Sequence, residues 1–421
     1  MSFPFRIIEH TIPGQHIREY PQSTRGNQET PHHLAIKQYI PIDTPIPDNA
    51  ITIIGFHGNG NPKETYEPLW EDLYTELKQK GLSLRGIWVA DISNQGASGI
   101  LNENIQGDRT NWYDHSRDIL HMVNHFRDEI SRPIIGVGHS MGCAQLVNLS
   151  IMHPRLLSTL IMFDPTIFDI STDISLVGPN PGLQSSLRRD LWSSAEKAKT
   201  ALSKSLRKWD PRVQERYLKF GLRNVPTAIY KLSDPNVGPE AVTLTTTKHQ
   251  ETWSYYSTNL EHESLDRFVL PDWDSDKERP YIVARPECQA AFRNLPFLRP
   301  SVLYAFGGKS PLSSPQSQDA KMRATGTGAG GSGGVQAGMV EKVVLKEGTH
   351  SIVCEDVGWC AEVGAGWIQK WFNGWLEDEK FWSVYQSRHS DDEMLRLSKE
   401  ASISATVPIR TKRGDLPKGK L

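Results

Sequence analysis

The chain has 421 residues, of which 38% are hydrophobic, and its formal net charge is -2. This composition allows one large α/β core with insertions, and the balanced charge argues against a nucleic-acid or membrane-surface partner. The sequence contains no apolar run of about 18 residues, so no membrane span is predicted, and its first residues lack the apolar stretch of a secretory signal. Four cysteines without zinc-type spacing predict reduced thiols in an intracellular protein.

Strands and helices alternate in the first part of the chain. Alternating stretches at residues 5–12 and 33–40 predict a hairpin of edge strands. Short apolar runs then predict buried strands, and helical patterns lie between them. The strands are expected at residues 51–56, 84–90, 133–137 and 159–163, and the helices at residues 66–80 and 113–129. This alternation is typical of a mostly parallel central sheet flanked by helices.

The alternation stops after Asp164, where a long polar segment begins. Helices are predicted within it at residues 190–209 and 211–222. Strand patterns resume at residues 301–306 and 340–345. We therefore predict an α/β fold with a helical cap inserted into the core, above the carboxyl ends of the strands. The expected division is residues 1–165 and 299–380 for the core, 166–298 for the cap and 381–421 for a mobile tail.

A nucleophile is predicted at Ser140. The run Gly138-His139-Ser140-Met141-Gly142 follows a predicted strand and precedes a helix-forming stretch, which is the strand–turn–helix setting of the G-x-S-x-G elbow. Glycines are needed there because side chains would clash in so tight a turn. The alternative is a turn serine in a chance match to the motif.

A hydroxyl needs a base, and in the chain order Ser…Asp/Glu…His the base comes last. His350 follows the last predicted strand and is therefore the expected base. Asp164, at the end of the strand at 159–163, is the expected acid that orients the histidine. A structural turn carboxylate is the alternative for Asp164, with Glu347 and Asp169 as weaker substitutes.

Two backbone amides should form an oxyanion hole. The expected donors are Met141, which follows the nucleophile, and Asn59, in the glycine-rich loop after the strand at 51–56. A purely structural turn is the alternative for that loop. Asp91, which begins the run Asp-Ile-Ser-Asn-Gln-Gly-Ala-Ser, is predicted to be a structural hydrogen-bonding residue rather than a catalyst.

These motifs, in this order, resemble the α/β-hydrolase-1 superfamily over about residues 30–170 and 298–376. The segments FDPTIF and YAFGGKSPLS, with no acid after the later strand, are similar to fungal hydrolases of host-selective toxin (AK-toxin type) gene clusters, some of them peroxisomal. The resemblance implies an α/β-hydrolase fold, with the insertion in the position of the family's lid.

The expected activity is that of a serine hydrolase that cleaves an ester, thioester or lactone through an acyl-Ser140 intermediate. The chemistry needs no metal and no cofactor, and its partner is a small-molecule acyl substrate. The alternatives are an acyltransferase with the same three residues and a binding protein on a hydrolase fold.

The sequence ends in Gly419, Lys420 and Leu421, which resembles the peroxisomal tripeptide Ser-Lys-Leu. Binding to a peroxisomal import receptor is therefore a hypothesis, with a chance Lys-Leu end and a cytoplasmic location as the alternative.

Overall fold

An eight-stranded mixed sheet is the centre of the fold. The structure, a computed structural model, describes residues 3–42, 45–168, 181–270, 282–386 and 390–397. The strands of this sheet are β1 (Phe5–Pro13), β2 (His33–Pro41), β3 (Ile51–Phe56), β4 (Leu84–Ala90), β5 (Ile134–His139), β6 (Thr159–Phe163), β12 (Ser301–Gly307) and β13 (Val340–Leu345). Their order is β1-β2-β4-β3-β5-β6-β12-β13. β1 pairs with β2 and β2 with β4 in antiparallel fashion, and the remaining pairs are parallel.

The buried strands are the ones that read as continuous apolar runs. Every residue of β3, β5 and β6 is buried, because a parallel strand covered by helices on both faces needs apolar side chains on both. The edge strand β1 is mostly exposed or half-buried. The eight predicted strands are confirmed, and β5 extends to His139, the residue before the predicted nucleophile.

Helices flank the sheet, and their ends follow local sequence signals. They are α1 (Glu67–Gln79), α2 (Gly96–Leu101), α3 (Trp112–His125), α4 (Met141–Met152), α11 (Pro315–Ala324), α12 (Ile352–Glu355) and α13 (Val357–Gln386). The Asn111 side chain accepts a hydrogen bond from the Tyr113 amide and so caps α3. Short 3₁₀ helices lie at Pro21–Ser23, Lys63–Tyr66, Glu263–Leu265, Leu295–Phe297 and Val335–Ala337.

The segment between β6 and β12 contains short strands as well as helices. Its helices are α5 (Pro181–Leu187), α6 (Ala195–Ser205), α7 (Pro211–Phe220), α8 (Lys248–Trp253), α9 (Asp266–Val269) and α10 (Glu287–Asn294). Its strands are β7 (Leu191–Trp192), β8 (Leu222–Asn224), β9 (Val242–Leu244), β10 (Tyr256–Thr258) and β11 (Ile282–Ala284). They form two small antiparallel sheets, β7-β9-β8 and β10-β11.

The segment predicted as a helical cap therefore contains short strands in addition to its helices. The helix predicted from residue 190 begins instead at Ala195, after β7, because the Ser194 side chain caps it by accepting from the Lys197 amide. Strands of two or three residues are too short to show a period of two.

The chain divides into two units, Met1–Gln369 and Lys370–Leu421. The first contains the sheet and the inserted segment. In the second, aromatic side chains of α13 contact one another in two groups, Trp371, Phe372 and Trp375, then Phe381, Trp382 and Tyr385. The predicted tail includes the end of α13 and a short helix α14 (Asp391–Met394). Gly419, Lys420 and Leu421 lie outside the described residues. No helix in the described part of the chain is long and apolar enough to cross a bilayer.

Candidate active site

The turn between β5 and α4 holds Ser140 in a strained conformation. Its backbone has φ 56° and ψ -120°, a region that residues with side chains rarely adopt. A Cβ atom on Gly142 would lie 2.5 Å from the Phe56 carbonyl oxygen, and one on Gly138 would lie 2.7 Å from Leu146 Cδ1. Glycine is therefore required at position 142 by close packing against the β3 backbone, and Gly138 packs closely against α4.

Ser140, His350 and Asp164 form a continuous chain of hydrogen bonds. The Nδ1 atom of His350 lies 2.6 Å from Asp164 Oδ2, and its Nε2 atom lies 2.8 Å from Ser140 Oγ. Because a carboxylate only accepts, Nδ1 carries the proton and Nε2 accepts from the Ser140 hydroxyl. The structure thus brings together three predicted residues from the ends of three different strands.

Three donors besides His350 hold the carboxylate of Asp164. The carboxylate accepts from the Gly307 amide at 3.0 Å, from Ser310 Oγ at 2.5 Å and from Ser313 Oγ at 2.6 Å. Burial acts to raise the pKa of Asp164, but the hydrogen bonds from His350, Ser310 and Ser313 outweigh it and leave the pKa below its ordinary value. Asp164 is therefore a buried carboxylate with a fixed orientation.

No sequence motif assigns a role to Ser310 or Ser313. Both lie in the loop after β12, a segment that contains no acidic residue. The absence of an acid after β12 is the signal that could have indicated them. Because the carboxylate follows β6 instead, the loop after the neighbouring strand β12 can supply hydrogen-bond donors to it. The weaker acid candidates fit less well, since Glu347 is exposed and paired with Lys309, and Asp169 lies outside the described residues.

The loop after β3 passes directly beside the serine. A Cβ atom on Gly58 would lie 3.3 Å from the Cβ of Ser140 and 2.8 Å from His139 Nδ1. Neither the backbone N–H of Asn59 nor that of Met141 has a hydrogen-bond partner within the described ranges. Two uncommitted amides next to a nucleophile are what an oxyanion hole requires.

The Gln95 side chain holds the loop at Asn59 and at Gly60, the residue that follows it. Its Oε1 accepts from the Gly60 amide at 2.8 Å, and its Nε2 donates to Asn59 Oδ1 at 2.7 Å and to Ser254 Oγ at 2.9 Å. Asn59 Nδ2 in turn donates to the Glu251 carbonyl at 2.9 Å. The loop is thereby joined to α8 of the inserted segment, a connection that sequence reasoning missed.

Tyr66 and His139 join the same loop to the His350 backbone. The Tyr66 hydroxyl accepts from the Gly58 amide at 2.7 Å and donates to His139 Nδ1 at 2.8 Å. The Nε2–H of His139 then donates to the His350 carbonyl at 2.9 Å. Burial, with a smaller contribution from nearby His350, lowers the pKa of His139 to about 3. His139 is therefore neutral at physiological pH and serves as a bridge.

Asp91 lies in a buried ion pair rather than in the hydrogen-bond chain of Ser140. Its Oδ2 is 2.6 Å from Lys63 Nζ and accepts from the Ala97 amide, and its Oδ1 accepts from the Lys63 amide. Burial raises the pKa of Asp91, but the attraction of Lys63 and of His57 outweighs burial and lowers the pKa overall. The structural role predicted for Asp91 is confirmed by these contacts.

Comparison with known proteins gives one consistent result. A model of the alpha/beta hydrolase family matches residues 53–353. The type I acyl-CoA thioesterase mpaH' of Penicillium brevicompactum is 36% identical, over 99% of each chain. The abhydrolase domain-containing protein AKT2 of Alternaria alternata is 28% identical, over 57% of this chain and 85% of its own. The resemblance stated from the sequence motifs is thereby confirmed.

A solved structure agrees with the fold. The peroxisomal alpha-beta-hydrolase Lpx1 of Saccharomyces cerevisiae superposes with a TM-score of 0.67 at 16% identity, over 92% of this chain and 99% of its own. This likeness concerns the fold alone, and it confirms the fold class expected from the sequence.

Proposed function

Because the chain belongs to the alpha/beta hydrolase family and is an ester or thioester hydrolase, we propose that Ser140, His350 and Asp164 are its catalytic residues and that an acyl-CoA thioester is its substrate. The observation that carries the catalytic assignment is the hydrogen-bond chain of 2.8 Å and 2.6 Å through His350. The identity to an acyl-CoA thioesterase over nearly the whole of both chains supports the substrate.

In the first half of the reaction, Ser140 Oγ attacks the thioester carbonyl carbon and His350 Nε2 takes the hydroxyl proton. The amides of Met141 and Asn59 hold the oxyanion that forms. Asp164, which stays ionised, stabilises the imidazolium. When the intermediate collapses, the C–S bond breaks and the thiol leaves with the proton from His350.

In the second half, a water molecule attacks the acyl-Ser140 ester while His350 Nε2 accepts a proton from it. The same two amides hold the second oxyanion. The bond from carbon to Ser140 Oγ then breaks, and Oγ recovers its proton from His350. The free carboxylic acid leaves, and the reaction involves neither metal nor cofactor.

A thiol-release assay on a panel of acyl-CoA esters, paired with fluorophosphonate labelling, tests this proposal. Wild-type protein should release thiol and label, and Ser140→Ala should do neither. Ser150→Ala is the matched control, because Ser150 is also buried but its hydroxyl donates to the Leu146 carbonyl. Labelling of Ser140→Ala at the wild-type rate would show that Ser140 is not the nucleophile. Release of thiol with the acyl group on an added alcohol instead of on water would indicate an acyltransferase.

Fungal secondary metabolism and the peroxisome are the proposed setting. The resemblance to hydrolases of toxin gene clusters supports the first, and the tripeptide Gly419, Lys420 and Leu421 supports import through the peroxisomal receptor. A fluorescent protein fused to the N-terminus should colocalise with a peroxisomal marker in a fungal host. Deletion of Leu421 should return it to the cytosol, and an unchanged pattern after deletion would refute this part of the proposal.

A further inference from the structure

Ser140 Oγ has a second contact that the mechanism above does not use. Thr166 Oγ1 lies 3.0 Å from Ser140 Oγ. Thr166 is half-buried in the loop that follows β6, two residues after Asp164. Its amide also donates to the Ser140 carbonyl at 3.1 Å. Two hydrogen bonds therefore hold the threonine against the residue proposed to be the nucleophile.

The direction of the hydroxyl contact follows from counting protons. Asp164 accepts the Nδ1 proton of His350, so Nε2 has a lone pair and accepts the single proton of the Ser140 hydroxyl. Ser140 has no second proton to give. Thr166 is therefore the donor, and it occupies one of the two lone pairs of Oγ while the other remains free to attack.

We propose that Thr166 is a further catalytic residue whose hydroxyl donates to Ser140 Oγ and stabilises the negative charge that develops on that oxygen. The inference rests on the proposed function, since it assumes that Ser140 is the nucleophile. In acylation Oγ loses its proton to His350 as it bonds to the carbonyl carbon. In deacylation Oγ gains charge as its bond to that carbon breaks, until His350 returns the proton. The Thr166 proton stays on Thr166 throughout, so no other reactant is needed.

The matched pair Thr166→Val and Thr166→Ser tests the proposal. Valine has the shape of threonine without the hydroxyl and keeps the amide that donates to Ser140. Serine keeps the hydroxyl. Loss of a hydrogen bond to a developing charge slows a reaction by roughly tenfold to a hundredfold. Thr166→Val should lower the fluorophosphonate inactivation rate and the deacylation rate of a p-nitrophenyl ester by that amount, and Thr166→Ser should restore both.

A disturbed His350–Asp164 pair would also slow the reaction, so a second measurement is needed. The low-field proton resonance of His350 Nδ1–H should persist in Thr166→Val, showing that the bond to Asp164 is intact. Wild-type rates, or faster rates, in Thr166→Val would overturn the role of Thr166, as would failure of Thr166→Ser to recover activity. If Ser140→Ala is inactive while Thr166→Val is normal, the proposed function stands and this inference fails.

Discussion

Removing the hydroxyls of Ser310 and Ser313 tests whether these residues hold the Asp164 carboxylate in its charged form. Each donates to a carboxylate that is fully buried. A hydrogen bond to a charged group contributes about 1.5–3 kcal/mol to stability. Ser310→Ala and Ser313→Ala should each therefore lower the free energy of unfolding by about 2 kcal/mol near neutral pH, and the double variant should lose more than either.

The sign of the pH dependence follows from the pKa of Asp164, which is below its ordinary value. In acid, the unfolded chain binds a proton at this position before the folded protein does. The stabilisation is therefore complete above the unfolded pKa of about 3.9 and is lost as the pH falls through the folded value. Without the serine hydroxyls the folded pKa rises, so the difference between wild type and variant should shrink below about pH 4.

Urea unfolding followed by tryptophan fluorescence measures these differences at about pH 7 and about pH 3.5. Ser150→Ala is the control, because its hydroxyl donates to the neutral Leu146 carbonyl. It should cost about 0.5–1.5 kcal/mol at both pH values. If Ser310→Ala and Ser313→Ala cost no more than this control, or cost the same at both pH values, the assignment of both hydroxyls to a buried carboxylate is wrong.

Three further predictions concern the loops around Ser140. Gln95→Met removes the contacts to Asn59 and Gly60 in the loop proposed to hold the oxyanion, and it should lower kcat about 100-fold on a p-nitrophenyl ester. Gln145→Met should not, because the buried Gln145 amide has no hydrogen-bond partner in the described residues. Tyr66→Phe leaves the Gly58 amide and His139 Nδ1 without their shared partner, and it should lower the free energy of unfolding in urea by about 1–3 kcal/mol. A change of less than a tenth of that amount would contradict the role of the Tyr66 hydroxyl as a bridge between them. His139 has a pKa of about 3 in the folded protein, so only the unfolded chain takes up a proton there as the pH falls below about 6.5. The folded protein is therefore destabilised over that range. The wild type should therefore lose about 2 kcal/mol more than His139→Gln between about pH 7.5 and pH 5, and equal losses would refute a neutral buried His139.

The central strands and the elbow could be predicted because their burial requires particular residue types at positions that are adjacent in the sequence. Every residue of β3 is buried, so the strand reads as an unbroken apolar run. Gly138 and Gly142 flank Ser140 at a turn where a Cβ atom would collide with its surroundings. His350 could be predicted because it follows the last strand of the sheet.

The supporting residues could not be predicted, because their partners are distant in sequence. Ser310 reaches Asp164 only because β12 pairs with β6, with Ala305 opposite Phe163, and that neighbourhood has no local signature. The partners of Gln95 lie 35, 36 and 159 positions away. Thr166 is two residues from Asp164, but its contact with Ser140 depends on the turn geometry of both loops.

The hydrogen bonds from Asn59 to α8 and from Gln95 to Ser254, the residue after α8, bear on how this enzyme could be re-engineered for other acyl groups. A graft from a relative that replaced all of the segment between β6 and β12 would remove the Glu251 carbonyl and the Ser254 hydroxyl. The recipient scaffold would then lose the contacts that hold the loop after β3, which contains the proposed oxyanion donor Asn59, whatever pocket the graft supplied. Transplants whose junctions leave α8 and Ser254 native are the ones that should yield working chimeras.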